Sequence, residues 1–387
     1  MSQKKVAEKG TSIRYEMMEL AKTLPDVIAL GRGDPDQDTP AHIVQAAKDA
    51  LRRGAALQPA PAEGLFELRQ AIADKLRREN NVLVDPATEV LVTGGGQEAL
   101  FFLIQSLLNP GDEVLVPDPR YTSYDAAIHV AGGKIVPVPT YQEDSFDLRP
   151  EEVEKRIGPK SKVLLLVTPG NPTSGVISPK SIRRLAEIAQ ERNLIVISDE
   201  IYEKFIYDDA QHMSIASLPG MKERTITLNG VSKTYAMTGW RVGYVAAPAS
   251  IIAAMRAMKI SANRGTSVIS QWGAHAAFTG PQDCVERFRR IYDERRQIMM
   301  QGLDEMGFTY GRPKGAFYAF PDASSVGISA EELSYLFLKE GRVLIFPGNA
   351  FGESGGQYLR ISLLAPKERL QEAVARMKRT IAEHVKK

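Results

Sequence analysis

Two cations in the stretch VSKTYAMTGWRVG (residues 231–243) are the first residues of this sequence with clear chemical potential. Lys233 and Arg241 are eight positions apart, and no acidic residue lies within the stretch. The small, aromatic and apolar neighbours predict a partly desolvated Lys233, which lowers the pKa of the amine and suits it to form a Schiff base. Arg241 presents a planar fork of donors that suits a phosphate. Unless Lys233 is only a solvated loop residue, the two cations predict a phosphorylated carbonyl ligand, with no acid of the protein paired to either.

A glycine-rich stretch, TGGGQEAL (residues 93–100), follows an apolar run and opens a helical pattern. Glycines let a backbone approach a ligand closely, and the free amides at a helix N-terminus attract anions, so this stretch is typical of a phosphate site. Gly94, Gly96 and Ala99, with Asp118 after the next apolar run, also match the dinucleotide fingerprint. A phosphate site, a nicotinamide-dependent dehydrogenase and a glycine turn without a ligand all remain open at this point.

An acidic pair ends the apolar run of LIVISDEIYEKFIY (residues 194–207). A buried carboxylate is costly unless a cation or strong donor meets it, and open α/β sheets bind ligands at the carboxyl ends of their strands. Asp199 is therefore a candidate for binding a cationic group, with the alternative that it only caps a following helix. Tyr202 is predicted on the same face of that helical turn, where it could hydrogen-bond whatever Asp199 binds.

These candidates belong to a chain that alternates between strand and helix patterns. Stretches such as residues 179–193 show the three-to-four-residue apolar spacing of amphipathic helices. Continuously apolar strands that alternate with helices indicate an α/β fold with a mostly parallel sheet covered on both faces. The seven predicted strands are residues 89–93, 112–118, 134–139, 162–169, 194–200, 224–230 and 241–247.

The two ends of the chain have a different pattern. Residues 12–24 and 367–385 predict amphipathic helices, and the chain after residue 290 mixes helices with short strands such as residues 358–364. We expect a large domain of residues 46–289 and a smaller α+β domain that combines residues 1–45 with residues 290–387. A cleft between two domains is a common place for a small-molecule site.

Composition limits the class of protein. The chain has 387 residues, a formal net charge of +2 and one cysteine, Cys284. The near balance of charge argues against a nucleic-acid or membrane-surface protein, and no cysteine or histidine cluster has the spacing of a metal site. Apolar runs such as VLLLV are too short to span a bilayer, so we expect a cytoplasmic protein without disulfide or metal.

The motifs together resemble one family. GVSKTYAMTGWRVG is similar to the pyridoxal-phosphate attachment signature of class I and II aminotransferases, the fold-type I family of the aspartate and aromatic aminotransferases. The likeness excludes the dehydrogenase, whose sheet would begin at the glycine fingerprint and which would not use Lys233 and Arg241. Further motifs follow in order along nearly the whole chain: LGRGDPDQDTP (30–40), PAEGLFELRQAIA (61–73), TGGGQEAL (93–100), PDPRYTSY (117–124), TPGNPTSG (168–175), SDEIYEKF (198–205), GAFYAFPD (315–322), VLIFPGNAFG (343–352) and YLRISLLAP (358–366).

The resemblance implies a pyridoxal 5'-phosphate cofactor and roles for the residues around its ring. Lys233 would bind the cofactor as a Schiff base and, once displaced by the substrate, move the proton between the substrate Cα and the cofactor. Asp199 would keep the pyridine nitrogen protonated, which makes the ring an electron sink. Asn171 and Tyr202 would hydrogen-bond the phenolic oxygen of the ring, and Tyr121 would stack on the ring.

The resemblance also implies where the anionic groups bind. Arg360 would clamp the substrate α-carboxylate, with Asn171 and the backbone near Gly33 beside it. The family resemblance further implies a homodimer with shared active sites and a small domain that closes over the substrate. The residues expected to hold the cofactor phosphate are Gly95, Gly96, Gln97, Ser232 and Arg241.

Several positions depart from the family pattern. Pro59 stands where a tyrosine usually reaches the phosphate in the other subunit, and Arg264 stands where a small hydroxyl residue makes a similar contact. We hypothesise that Arg264 of one subunit replaces the lost phosphate contact in the other, with a solvated arginine as the alternative. Ser174 replaces a commoner glycine without disturbing Asn171. Gln97 replaces a lysine that some aspartate-specific relatives use for the distal carboxylate.

The side-chain specificity is the least defined part of the prediction. Arg32, which is unusual in the LGRGD loop, either meets a distal carboxylate of the substrate or is an exposed loop residue. We expect a ping-pong aminotransferase that takes an aspartate-like or aromatic L-amino acid and a 2-oxo acid such as 2-oxoglutarate. The alternatives are a β-eliminating C–S lyase of the same fold and a non-catalytic ligand sensor.

Overall fold

The strands of the chain belong to one large sheet and three small ones, in a computed structural model that describes residues 10–385 and the side chains of residues 13–385. In chain order they are β1 (Ile28–Ala29), β2 (Val90–Thr93), β3 (Glu113–Asp118), β4 (Lys134–Pro139), β5 (Ser161–Val167), β6 (Ile195–Asp199), β7 (Thr225–Gly230), β8 (Gly243–Ala246), β9 (Thr309–Tyr310), β10 (Tyr318–Ala319), β11 (Pro321–Asp322), β12 (Val343–Leu344), β13 (Phe346–Pro347) and β14 (Leu359–Ser362).

The large sheet has the strand order β2-β8-β7-β6-β5-β3-β4. Strand β8 is antiparallel to both of its neighbours, and the other pairs are parallel. All seven predicted strands are present, so the predicted mostly parallel sheet is confirmed. The other six strands end at one edge of the sheet, and β8 begins there because it runs in the opposite direction. This is the edge at which open α/β sheets bind ligands.

Helices connect most of the strands, and none in the described part of the chain is long and apolar enough to cross a membrane. The predicted helices at residues 12–24, 179–193 and 367–385 correspond to α1, α7 and α12. The helices are α1 (Gly10–Thr23), α2 (Ala41–Arg52), α3 (Phe66–Lys75), α4 (Gly96–Leu107), α5 (Ser123–Val130), α6 (Pro150–Glu154), α7 (Pro179–Glu191), α8 (Ala249–Ala262), α9 (Val268–Thr279), α10 (Asp283–Met306), α11 (Ala330–Lys339) and α12 (Lys367–His384).

Both faces of the large sheet are covered, because successive residues of a strand point to opposite sides. On one face, Leu165 and Ile197 pack in a cluster with buried residues of α4, α5 and α8. On the other face, Leu164 and Val196 pack with α6 and α7. The apolar positions predicted for α7 are all fully buried: Ile182, Leu185, Ile188 and Ala189.

The small sheets join the two ends of the chain. Strand β1 pairs in parallel with β12, strands β10, β14 and β13 form an antiparallel sheet, and β9 pairs with β11. The N-terminal residues 28–29 are therefore attached to the C-terminal part of the chain. The domain boundaries at residues 46 and 289 remain a prediction.

Helix α1 packs on the same C-terminal part through its apolar side. Met17 is fully buried in a cluster with Leu344, Phe346 and Phe351. Arg14 is one helical turn before Met17, so this packing also carries Arg14 to the wall of the cavity described below.

Candidate active site

A cavity of about 520 Å³ opens at the edge where the parallel strands end. Most of the residues selected from the sequence line it, although they are far apart in the chain. These are Arg32, Gly33, Gly96, Gln97, Tyr121, Asn171, Asp199, Tyr202, Ser232, Lys233, Arg241 and Arg360. Gly95 lies just behind this wall, since a Cβ atom on it would be 2.4 Å from Arg241 Nη2.

The topology of the sheet explains this convergence. Asp199 is the last residue of β6, Asn171 follows β5, and Lys233 follows β7, so parallel strands deliver all three to one edge. Arg241 reaches the same edge two residues before β8 begins. The alternative that Asp199 caps a helix is wrong, because residues 201–204 form turns. Tyr202 lies in these turns and still lines the cavity.

Asp199 is a buried carboxylate that accepts few hydrogen bonds. Tyr124 Oη donates a hydrogen bond to its Oδ2 at 2.6 Å, and the Ile201 amide donates to its Oδ1 at 3.2 Å. Burial raises the pKa of Asp199 to about 6, although both hydrogen bonds oppose the shift. A cation in the cavity would favour the ionised carboxylate and would lower this pKa again.

Lys233 has an amine that is partly desolvated, as its neighbours in sequence predict. Burial lowers the pKa of Lys233, and the charges of Arg241 and Arg360 act in the same direction. Its Nζ donates to the carbonyl of Gly33 at 2.8 Å and lies 3.3 Å from Asp34 Oδ1. The expectation that no acid is paired with Lys233 is therefore wrong, since the fold brings Asp34 to it from a loop 199 positions away.

Arg241 is held by backbone carbonyls. Its guanidinium donates to the carbonyl of Thr238 at 3.1 Å and to that of Gly94 at 3.3 Å, and no acidic side chain in residues 13–385 pairs with it. Gly95, with a φ of 90°, allows the backbone to pass against this guanidinium immediately before α4. The unpaired amides of the first turn of α4 and the Arg241 charge together offer the donors and the charge that an anion requires.

Arg360 is a second cation without an acidic partner among the described side chains. It is almost fully buried; its Nη1 donates to Asn171 Oδ1 at 3.2 Å and its Nη2 donates to the Gly31 carbonyl. Burial lowers the pKa of Arg360 to about 10, and the charge of Arg14 adds to that shift. A carboxylate entering the cavity would find a planar donor group fixed by neutral partners.

Besides Asp34, three further residues of the site had no role assigned from the sequence. Tyr124 is three positions after Tyr121, a helical spacing that could have indicated a shared face, and it lines the cavity with Tyr121. Tyr318 belongs to the family motif GAFYAFPD (residues 315–322), which indicates no role for it. Its Oη lies 3.1 Å from Tyr202 Oη. Arg14 lies one turn before Met17 on the packed side of an amphipathic helix, and nothing in its sequence context indicates a ligand.

Two of the departures from the family pattern lie together, outside the cavity. Arg264 is exposed in a turn with a φ of 62°, and it does not line the cavity of this chain. The turn packs on the segment that contains Pro59, since a Cβ atom on Gly265 would be 2.9 Å from the carbonyl oxygen of Ala60. Ser174 has a φ of 56°, a conformation that favours glycine, which explains why glycine is commoner at this position.

A buried ionic network follows Asp199. Ligand atoms of Glu200, Glu203 and His212 lie within 4.8 Å of one another, as the ligands of a metal would. They already have partners, because Lys75 forms a close ion pair with Glu203 and His212 Nε2 lies 3.2 Å from Glu200 Oε2. The buried ammonium of Lys75 would repel a metal ion, so this cluster is a charge network that ties α3 to the turns after β6.

Known proteins resemble this chain over nearly its whole length. Residues 25–377 match the family model described as aminotransferase class I and II. An aspartate aminotransferase of Pyrococcus abyssi is 45% identical over 372 residues, and an aromatic-amino-acid aminotransferase 2 of Thermococcus litoralis is 41% identical over 370 residues; each match covers 95% of both chains. The structure of an aromatic aminotransferase from Pyrococcus horikoshii matches with a TM-score of 0.91 at 45% identity, over 95% of this chain and 99% of that one. The chain therefore belongs to the class I and II aminotransferases.

Proposed function

We propose that this aminotransferase uses pyridoxal 5'-phosphate and moves an amino group between an L-amino acid and a 2-oxo acid, such as 2-oxoglutarate, by a ping-pong mechanism. The observation that supports this most is that Lys233, Asp199, Arg241 and Arg360 line one cavity. Each offers a group that a different part of the cofactor or the substrate requires. When bound, the cofactor supplies an electron sink for the negative charge that develops at the substrate Cα.

The charged groups of the cavity fit the two ends of this cofactor. Arg241, which has only backbone carbonyls as partners, would hold the phosphate together with Ser232 and the amides of Gly96 and Gln97 that follow Gly95. Asp199, a buried carboxylate with a raised pKa, would bind the protonated ring nitrogen.

The polar and aromatic groups between these ends fit the ring. Asn171 and Tyr202 would donate hydrogen bonds to the ring oxygen, and burial raises the pKa of Tyr202 far enough to keep its hydroxyl a donor. Tyr121 lines the same cavity and would stack on the ring. Tyr318, through its contact with Tyr202, would fix the orientation of that hydroxyl.

Lys233 would take the proton from the substrate Cα and deliver it to the cofactor. Its lowered pKa increases the neutral fraction of the amine, which is the form that accepts a proton. The Gly33 carbonyl and the Asp34 carboxylate offer acceptors for the amine whenever it is free. Arg360 would hold the substrate by its α-carboxylate, so that the Cα–H bond stays within reach of Lys233.

The substrate side chain and the second subunit belong to the same proposal. One similar protein is named an aspartate aminotransferase and another an aromatic-amino-acid aminotransferase, so we propose a substrate from one of these two classes. Arg32 lies on the cavity wall with an exposed side chain, where it can meet a substrate carboxylate. Arg264 lies outside the cavity, and its packing beside the Pro59 segment supports a role at the phosphate in the other subunit of a homodimer.

The test is a half-reaction screen. Purified holoenzyme is mixed with single L-amino acids without an oxo acid, and the visible absorbance of the lysine-bound cofactor is followed. We expect the absorbance to disappear and to return when 2-oxoglutarate is added, and we expect no such change with Lys233→Ala. The proposal fails if no L-amino acid changes the spectrum. Release of ammonia and pyruvate from a β-substituted amino acid without an oxo acid would indicate β-elimination instead.

A further inference from the structure

A second guanidinium lies in the cavity beside that of Arg360. Arg14 lines the same cavity, and the two arginines share two aromatic rings. Arg14 Cζ is 5.4 Å from the ring centres of both Phe346 and Phe351, and Arg360 Cζ is 5.8 Å and 4.4 Å from the same two centres. Two like charges held close together in a partly dry site repel each other unless an anion joins them.

Arg14 has no anionic partner in the described part of the chain. No acidic side chain of residues 13–385 forms an ion pair with it, and its buried Nε has no hydrogen-bond partner there. A buried donor without an acceptor is costly, and a charged donor more so. The Nε of Arg360 also has no partner there, but Asn171 and the Gly31 carbonyl accept hydrogen bonds from its two other nitrogens.

The four arginines on the cavity wall outnumber the two anionic groups that the cofactor and an α-carboxylate would bring. Under the proposed function, the phosphate occupies Arg241 and the α-carboxylate occupies Arg360. Of the two other arginines on the wall, Arg32 is exposed, whereas Arg14 is half-buried and held by two rings. The charged side chains on the wall are five cations and two acids: Arg14, Arg32, Lys233, Arg241 and Arg360 against Asp34 and Asp199.

We propose that Arg14 binds a carboxylate at the end of the substrate side chain and thereby selects dicarboxylic amino acids. This inference rests on the proposed function, since it requires Arg360 to hold the α-carboxylate. The rings hold the Arg14 guanidinium by cation–π contact, and Met17 anchors its helix, so little ordering is needed when a carboxylate binds. An aromatic or neutral side chain would desolvate Arg14 without giving it a partner, which disfavours such substrates.

The test compares L-glutamate with L-glutamine, and L-aspartate with L-asparagine, in the half-reaction of the holoenzyme. Each pair has nearly the same shape and differs in one charge. We expect the wild type to prefer the acid, and Arg14→Met to reduce that preference by a factor on the order of 10 to 100 in kcat/KM. Lys22→Gln is the matched control, because it removes an exposed cation from the same helix whose partner is Glu19.

A second variant keeps the inference testable if Arg14→Met does not fold. Arg14→Lys keeps the charge but loses the planar donor fork, so we expect a smaller loss of acid preference and weaker inhibition by succinate, a substrate-sized dicarboxylate. An acid preference that is the same in the wild type and both variants would overturn the role of Arg14. A wild type that reacts with phenylalanine but with neither acid would also overturn it and would leave the proposed aminotransferase with an acceptor other than 2-oxoglutarate. A wild type that reacts with no amino acid would instead overturn the proposed function.

Discussion

Replacing Tyr124 by phenylalanine tests the ring-nitrogen end of the site with the smallest possible change. The variant loses one hydroxyl, which donates to Asp199 Oδ2 at 2.6 Å, and keeps the ring that packs edge-to-face with Tyr121 at 6.0 Å. The Ile201 amide then remains as the donor to this buried carboxylate. Removing a hydrogen bond from a charged, buried acceptor costs about 1.5–3 kcal/mol.

The sign of the effect follows from which form of Asp199 the hydrogen bond stabilises. Tyr124 donates to the ionised carboxylate, so its loss raises the pKa of Asp199 above the value of about 6 that burial sets in the wild type. The cofactor ring requires an ionised Asp199, because a neutral carboxyl does not stabilise a protonated ring nitrogen. A cost of 1.5–3 kcal/mol therefore corresponds to cofactor binding that is about 10 to 150 times weaker well below pH 6, where Asp199 of the free site is protonated in both proteins, and to a smaller loss at neutral pH, where the wild-type carboxyl is already ionised.

Cofactor titration of the apoenzyme between pH 5.5 and pH 8.5 measures both the affinity for the cofactor and the pKa of Asp199. We expect the affinity of the wild type to fall as the pH drops through about 6, where Asp199 becomes protonated, and the same fall to begin at higher pH in Tyr124→Phe. Tyr310→Phe is the control, because it removes a tyrosine hydrogen bond to Asp304 at 2.7 Å outside the cavity. A dissociation constant and a pH midpoint that are unchanged in Tyr124→Phe would refute this account of Asp199.

Three further outcomes can be measured. Gly95→Ala should weaken cofactor binding at least tenfold in the same titration, because its Cβ would be 2.4 Å from Arg241 Nη2 at a φ of 90°; Gly111→Ala has nearly the same φ, 91°, with no atom within 4 Å, and should not weaken it. Glu203→Gln should lower the free energy of unfolding in urea by about 3–5 kcal/mol, because it leaves Lys75 buried without its counter-charge; a loss below about 1 kcal/mol would contradict a buried pair. Lys75 lowers the pKa of Glu203 to about 2, although burial opposes the shift. The contribution of the ion pair to the free energy of unfolding should therefore be complete above pH 4.5 and should be lost as the pH falls from 4.5 towards 2. Urea unfolding across that pH range would reveal the loss.

The large sheet was predictable because its strands are buried on both faces. A run that is apolar at every position stands out in the sequence, as in residues 163–167, which lie both in the predicted strand 162–169 and in β5 (Ser161–Val167). Strand order depends on which crossover connects which strands, and the runs themselves carry no such information. The reversal of β8 is an example, since residues 241–247 are as apolar as the parallel strands. Two-residue strands such as β1 and β12 are too short to show a periodicity.

Site residues were predictable where a reactive side chain lies beside residues whose burial is evident from the sequence. Asp199 ends an apolar run and Lys233 lies among small, aromatic and apolar residues, so their burial could be inferred from their neighbours. Asp34 and Arg14 could not be placed in this way, because each reaches the cavity through contacts with segments about 200 or more positions away in the chain. Tyr124 shows the intermediate case: its helical spacing from Tyr121 was visible, but its partner Asp199 is 75 positions away.

Arg241 and Arg360 in the cavity have neutral hydrogen-bond partners, whereas two buried arginines elsewhere in the protein are paired with acids. Arg295 and Arg296, which are buried away from the cavity, are paired with Asp36 and Asp208 through two nitrogens each at 2.8–2.9 Å. An anionic ligand would have to break such a pair before it could bind, and breaking a buried ion pair is costly. Arg241 is oriented by backbone carbonyls instead, as Arg360 is by the Gly31 carbonyl and the Asn171 amide, and these neutral groups fix the direction of the donors without cancelling the charge. A site that must accept and release anions at every turnover is better served by neutral partners than by acidic ones.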